Sequence, residues 1–149
     1  MTSIATAPEI TTDPEVAATA LARARTVVRP GIVPAPGAKQ WVPACDVHRL
    51  VPGRGVAVLL PGGAQAALFL LPNGMIYAVD NLDPYAGAAV LSRGLTGDRG
   101  GEPTVASPLL KQVFSLRTGA ALDDDATALP TYAVRVQHGI VHIGLPLLP

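Results

Sequence analysis

The chain has 149 residues, 49% of them hydrophobic, and a formal net charge of zero. This length fits one domain, and the 15 glycines and 15 prolines favour a compact core with tight turns over a long helical bundle. The cationic side chains form no dense patch, which argues against nucleic acid or an anionic membrane as a partner. No apolar stretch approaches the roughly 20 residues of a spanning helix, and Cys45 is the only cysteine, so we expect a cytoplasmic protein.

The N-terminal region is predicted to precede the folded domain. Residues 13–15 (Asp-Pro-Glu) have the composition of a helix start, and apolar residues at helical spacing continue to Val28. The prolines that follow indicate an extended linker. We therefore expect a segment, residues 1–38, with a short helix packed on the chain's own body, and one domain over residues 39–149. Docking of this helix onto another protein is the alternative.

From Lys39 onwards, short apolar runs alternate with turn residues. The predicted strands are Gln40–Ala44, Gly55–Leu60, Gln65–Leu71, Met75–Val79, Thr104–Ala106, Gln112–Ser115, Tyr132–Val136 and Ile140–Ile143. Turn sequences at residues 61–63, 72–74 and 137–139 carry the Gly and Asn that accept a positive φ in hairpins. The continuous apolar run in the third strand indicates a strand covered on both faces. Without αβα alternation, the pattern predicts an all-β protein, a small antiparallel sandwich or barrel.

Two longer segments interrupt this rhythm, and loops of such length tend to carry function. The first, residues 81–101, reads Asn-Leu-Asp-Pro-Tyr-Ala-Gly at 81–87 and Leu-Ser-Arg-Gly at 91–94. The second, residues 107–111, follows Gly-Glu-Pro at 101–103 and begins the stretch Ser-Pro-Leu-Leu-Lys-Gln-Val-Phe-Ser-Leu-Arg-Thr-Gly at 107–119. This frame resembles Rieske iron–sulfur proteins, whose Cys-x-His-x-Gly and Cys-x-x-His-Gly loops hold a two-iron, two-sulfur cluster. The resemblance implies a Rieske-like fold.

The ligands of such a cluster are missing. On this frame, Asp83 and Tyr85 take the places of the first Cys and His, and Ser107 and Leu110 take those of the second pair. None of the four is a competent ligand, and the site requires two thiolates where the chain has one cysteine. Residues 45–48 (Cys-Asp-Val-His) reproduce a Cys-x-x-His spacing, but without a second pair we interpret them as a short helical turn with a small buried thiol.

Other reactive side chains have structural interpretations. The sequence has no nucleophile elbow, phosphate-binding loop or dinucleotide-binding turn, so we predict no catalytic, cofactor-binding or metal-binding residue in this chain. Residues 123–125 (Asp-Asp-Asp) are interpreted as a solvated acidic turn, and His138 and His142 as surface residues. Asp83 is expected to anchor its loop through local hydrogen bonds.

The sequence keeps the Rieske frame but lacks the cluster ligands. In this combination it is similar to the small-subunit family of bacterial NAD(P)H-dependent assimilatory nitrite reductases, over about residues 41–144. One departure is Leu109-Leu110, where this family tends to carry an aromatic residue. In that family the large subunit holds FAD, siroheme and a 4Fe-4S cluster and reduces nitrite to ammonium. The resemblance implies an accessory subunit without its own cofactor, with the large subunit as partner. The alternatives are a stand-alone cluster-free binding module and a Rieske-type electron carrier, which the cysteine count disfavours.

The resemblance also implies a docking surface, because the ligand loops of a Rieske protein form the exposed end that approaches redox partners. The residues that this end would present are Pro84, Tyr85, Arg93, Leu109, Leu110 and Lys111. Apolar side chains flanked by cations are typical of a docking patch. The alternative is that Tyr85, Leu109 and Leu110 fold inward and fill the space of the cluster, since a cavity there would be destabilising.

Overall fold

The structure is a computed structural model that describes residues 38–146. The predicted N-terminal helix therefore lies outside the described residues. Within them, two 3₁₀ turns cover Val47–Arg49 and Leu91–Arg93. The strands are β1 Ala38–Asp46, β2 Gly55–Leu59, β3 Gln65–Leu70, β4 Ile76–Asp80, β5 Leu82–Asp83, β6 Ala88–Ala89, β7 Leu95–Arg99, β8 Glu102–Ala106, β9 Val113–Ser115, β10 Thr131–Gln137 and β11 Ile140–Pro146. This part of the chain has no helix long and apolar enough to cross a membrane.

The strands form three antiparallel sheets. The largest has six strands in the order β1-β11-β10-β4-β3-β2, a second pairs β5 with β6, and a third has the order β7-β8-β9. The prediction of an all-β antiparallel fold is confirmed, and each predicted strand is present. The segment 81–101, predicted as a loop, instead contains β5, β6 and β7. Strand β7 shows no apolar alternation because most of its side chains are exposed, and it is held by backbone pairing to β8.

The predicted turn sequences close the hairpins of the main sheet. Gly62 and Gly63 between β2 and β3 have φ values of 90° and 94°, and Gly74 between β3 and β4 has a φ of 89°. Between β10 and β11, both His138 and Gly139 have a positive φ, as a two-residue hairpin with matching twist requires.

Strand β3 separates two hydrophobic cores, which confirms the prediction that it is covered on both faces. Ala66 and Leu68 pack in the first core with residues of β2, β4, β10 and β11. Ala67 and Phe69 point the other way, into the second core. This core joins the main sheet to the three-stranded sheet, whose Val105 and Phe114 are fully buried. The two interrupting segments thus contribute to, and lie beside, the second core.

Candidate functional site

Asn81 holds the first loop in place. Its side chain is buried, and its Nδ2 donates hydrogen bonds to Gln65 Oε1 at 3.0 Å and to the Ala89 carbonyl oxygen at 3.3 Å. Its Oδ1 accepts a hydrogen bond from the Ser92 backbone N–H at 2.7 Å. Both ends of the loop are therefore tied to one fully satisfied buried amide, which is how a polar side chain is accommodated in a core.

The Leu-Ser-Arg-Gly motif at residues 91–94 places the first loop next to the second. Leu91 is fully buried in the second core, and the turn ends at Gly94. A Cβ at Gly94 would lie 2.5 Å from the Ala106 carbonyl oxygen, a distance that real Cβ atoms do not adopt. Glycine is therefore required here by the close approach to the backbone that leads into Ser107.

The two residues at the cysteine positions bind each other. Ser107 Oγ donates a hydrogen bond to Asp83 Oδ2, and both side chains are buried. The other carboxylate oxygen accepts hydrogen bonds from the backbone N–H groups of Tyr85 and Ala86, at 2.8 and 3.3 Å, so Asp83 also anchors its loop as predicted. Ser107 Oγ in turn accepts from the Leu109 N–H at 3.3 Å. The hydrogen bond between Ser107 and the Asp83 carboxylate joins the two loops at the place where a cluster joins them in a Rieske protein.

Tyr85, at the first histidine position, is turned toward the body of the domain. Its ring is partly buried and packs against Phe114, with 6.0 Å between the ring centroids. Its hydroxyl donates a 2.5 Å hydrogen bond to Asp124 Oδ2, which raises the pKa of Tyr85 and lowers that of Asp124. Asp124 also accepts hydrogen bonds from Thr127 Oγ1 and the Ala126 N–H. The interpretation of residues 123–125 as merely solvated is therefore wrong for Asp124, which anchors Tyr85.

The second loop presents its apolar side chains to solvent. Leu109 and Leu110 are 52% and 54% exposed, so the inward-filling alternative does not describe these two residues. Lys111 follows with a φ of 64°, at the position where the Rieske motif has glycine, and its Nζ donates to the Pro108 carbonyl oxygen at 3.0 Å. The Ser107 N–H donates to the Gln112 carbonyl oxygen and the Lys111 N–H to that of Ser107, so the loop is closed on itself. Pro84 and Arg93 of the first loop are also exposed.

These residues do not fit a two-iron, two-sulfur cluster. The positions of the two cysteines are occupied by a carboxylate and a hydroxyl that bind each other, and Leu110 has no donor atom. Cys45 lies in β1 and packs against the first core, whereas the two loops border the second. Burial raises the pKa of the Cys45 thiol to about 11, which disfavours the thiolate that metal binding needs. Within residues 38–146, no group of three or more metal-ligating side chains forms a metal site.

The remaining predicted features fall away from the two loops. Cys45 belongs to β1, and the helical turn begins only at Val47, where Asp46 accepts a hydrogen bond from the His48 N–H. His138 is exposed, as predicted, and His142 is partly buried in β11. Burial lowers the pKa of His142.

A polar network that was not predicted from the sequence lies behind the second loop. Ser115 Oγ donates to Glu102 Oε2 and accepts from the backbone N–H groups of Arg117 and Thr118, both at 3.1 Å. Arg117 forms an ion pair with Glu102 at 3.1 Å. The sequence motifs Gly-Glu-Pro (101–103) and Phe-Ser-Leu-Arg-Thr-Gly (114–119) contain Glu102 and Ser115, so these motifs could have indicated the network. The network holds the hairpin that ends the second loop.

Fold and site together define a Rieske-like domain with replaced ligands, and residues 40–144 match the family described as "Rieske-like [2Fe-2S] domain". A nitrite reductase (NADH) small subunit from Salmonella typhimurium is 40% identical over 105 residues, which cover 70% of this chain and 96% of that protein. A crystal structure from Mycobacterium tuberculosis, described as an NADH-dependent nitrite reductase small subunit, has 48% identity and a TM-score of 0.71, covering 73% of this chain and 97% of that one. The chain belongs to the family of nitrite reductase small subunits.

One further relative is a nitrite reductase [NAD(P)H] large subunit from Klebsiella oxytoca. It is 42% identical over 111 residues, which cover 74% of this chain and 11% of that protein. In that relative, a domain similar to this chain is therefore one segment of a much longer polypeptide.

Proposed function

We propose that this chain is the accessory small subunit of a cytoplasmic NADH-dependent nitrite reductase, with no catalytic residue of its own. In this proposal the large subunit holds FAD, siroheme and a 4Fe-4S cluster and performs the reduction of nitrite to ammonium. The small subunit binds the large subunit through the exposed end of its two loops. We call this surface the loop end and define it as Pro84, Arg93, Leu109, Leu110 and Lys111.

The observation that carries the proposal is the Klebsiella oxytoca relative, in which a similar domain is covalently part of a large subunit. A covalent link fixes a domain beside its neighbour at a high effective concentration. A separate chain in the same role needs a surface that holds it there by affinity. The loop end has the composition of such a surface, because its two exposed leucines directly precede an exposed cation, Lys111.

The loops that form the loop end are also tied to the domain by hydrogen bonds and packing, which favours binding. The Asp83–Ser107 hydrogen bond joins the loops, and Tyr85 is fixed between Phe114 and Asp124. A surface that is already ordered loses little conformational entropy on association. Tyr85 therefore supports the loop end from behind, and we leave it out of the contact surface.

Association of the full-length chain with a separately purified large subunit from the same organism tests the proposal. Replacing both Leu109 and Leu110 by Ser should weaken binding at least about tenfold, since apolar anchors at an interface centre contribute more than about 1 kcal/mol each. Leu59→Ser is the matched control, because Leu59 is 72% exposed on β2, outside the two loops. Thermal unfolding of both variants should match that of the parent chain.

The outcomes separate the alternatives. Binding that survives the double substitution would place the interface on another face of the domain. No association at all would favour a stand-alone binding module. A purified chain with stoichiometric iron and visible absorption would instead support a Rieske-type electron carrier.

A further inference from the structure

Lys111 stands out in the loop end because its backbone is in a conformation that favours glycine. Within residues 38–146, only Lys111 and His138 among non-glycine residues have a positive φ, and glycine occupies every other such position. A side chain with a Cβ is disfavoured in this region by contact with the following carbonyl group. The position also corresponds to the glycine of the Cys-x-x-His-Gly motif, so the fold itself has no need of a lysine.

The contacts of Lys111 within the domain do not explain its presence. Its ammonium makes one hydrogen bond, to the Pro108 carbonyl oxygen at 3.0 Å, and this bond is exposed to solvent. The ion pairs in the described part of the chain join Arg99 to Asp123 and Arg117 to Glu102, so Lys111 has no carboxylate partner there. An ammonium group has three donors, and two of them remain available to a second molecule.

The neighbours of Lys111 indicate what that molecule presents. Leu109 and Leu110 directly precede it and are both more than half exposed. An unpaired cation beside exposed leucines matches the arrangement of an interface, in which a charged rim surrounds an apolar centre. Backbone strain that is retained at an exposed loop is also a recognised sign of function.

We infer that Lys111 is the charge-selecting contact of the loop end and pairs with a carboxylate beside an apolar patch on the large subunit. This inference rests on the proposed function and adds the chemistry of the partner surface. Lysine is retained against the preference of the backbone because its ammonium binds the partner. At position 111, glycine would therefore favour the stability of the domain, whereas lysine favours binding to the large subunit.

The test uses the full-length chain and the separately purified large subunit. Lys111→Gly should unfold at the same temperature as the parent or up to roughly 4 °C higher, because the positive φ suits glycine. Its Kd for the large subunit should rise at least about fivefold at low salt, and less as salt increases. Lys111→Met, which keeps the backbone strain and removes the charge, should weaken binding equally. Lys111→Arg should restore most of it.

His138→Gly is the matched control. It changes the other non-glycine residue with a positive φ, in the β10–β11 turn, and should leave the Kd unchanged. A Kd that is unaffected by Lys111→Gly and Lys111→Met, with the parent binding normally, would overturn the inference and leave the proposed function standing. A lower melting temperature for Lys111→Gly would overturn it too, since Lys111 would then serve its own loop. Failure of the parent chain to bind would refute the proposed function and, with it, this inference.

Discussion

Removal of the bond between the two loops should destabilise the domain measurably. Ser107→Ala deletes the hydroxyl that donates to the buried carboxylate of Asp83 and accepts from the Leu109 N–H. A hydrogen bond to a charged group contributes about 1.5–3 kcal/mol, and the carboxylate keeps its two backbone donors. We therefore expect a loss of about 2 kcal/mol in the free energy of unfolding, which corresponds to a fall of roughly 9 °C in melting temperature for a domain of this size.

A double-mutant cycle isolates this contact. Asp83→Ala should destabilise by more than Ser107→Ala, because it also leaves the Tyr85 and Ala86 N–H groups without their acceptor. The double variant should lose about 1.5–3 kcal/mol less than the sum of the single losses, because each single variant already lacks the Asp83–Ser107 bond. Urea unfolding followed by circular dichroism supplies the free energies. Thr118→Ala is a control that removes an exposed hydroxyl accepting one backbone N–H, and it should change stability by no more than about 0.5 kcal/mol. Additive losses in the cycle would refute the view that Asp83 and Ser107 join the loops directly.

Three further predictions concern the cluster, the N-terminal segment and Tyr85. The isolated protein should contain no iron and show no visible absorption, because a Rieske site needs two thiolates; metal analysis and an absorption spectrum that showed otherwise would contradict this reasoning. Removal of residues 1–37 should leave a cooperative thermal transition, because both cores form among residues 38–146, and a loss of that transition would show that the segment is part of the core. Tyr85→Phe should remove the hydrogen bond that lowers the pKa of Asp124 and raise that pKa toward its usual value. An NMR titration of the Asp124 carboxyl checks this, and an unchanged pKa would contradict it.

The sign of the pH dependence follows from the same bond. The folded pKa of Asp124 is lowered, so its contribution to stability is present above the unfolded pKa and is lost as the pH falls through the folded value. The folded pKa of Tyr85 is raised, so its contribution is present below the unfolded pKa and is lost as the pH rises through the folded value. Tyr85→Phe should remove the second dependence and weaken the first, because the Ala126 N–H and the Thr127 hydroxyl still bond to Asp124. The ring should still pack against Phe114.

The sequence by itself determined the class of fold and the loss of the ligands. Apolar alternation and glycine-rich turns predicted the strands of the main sheet, because these signals come from burial of side chains and from local backbone conformation. Strand β7 was not predicted, because most of its side chains are exposed and show no alternation of apolar and polar residues. Its pairing with β8 is a backbone interaction, which leaves no sequence pattern. The single cysteine excluded a Rieske cluster without any coordinates.

The tertiary structure decided what replaces the cluster. Ser107 and Asp83 lie 24 positions apart in the sequence, and Tyr85 and Asp124 lie 39 apart, so no local pattern could pair them. The contrast between an inward Tyr85 and an outward Leu110 depends on which positions the second core can cover. The positive φ of Lys111 likewise appears only in the folded loop, because the constraint comes from the closure of the backbone around Ser107 and not from the lysine side chain.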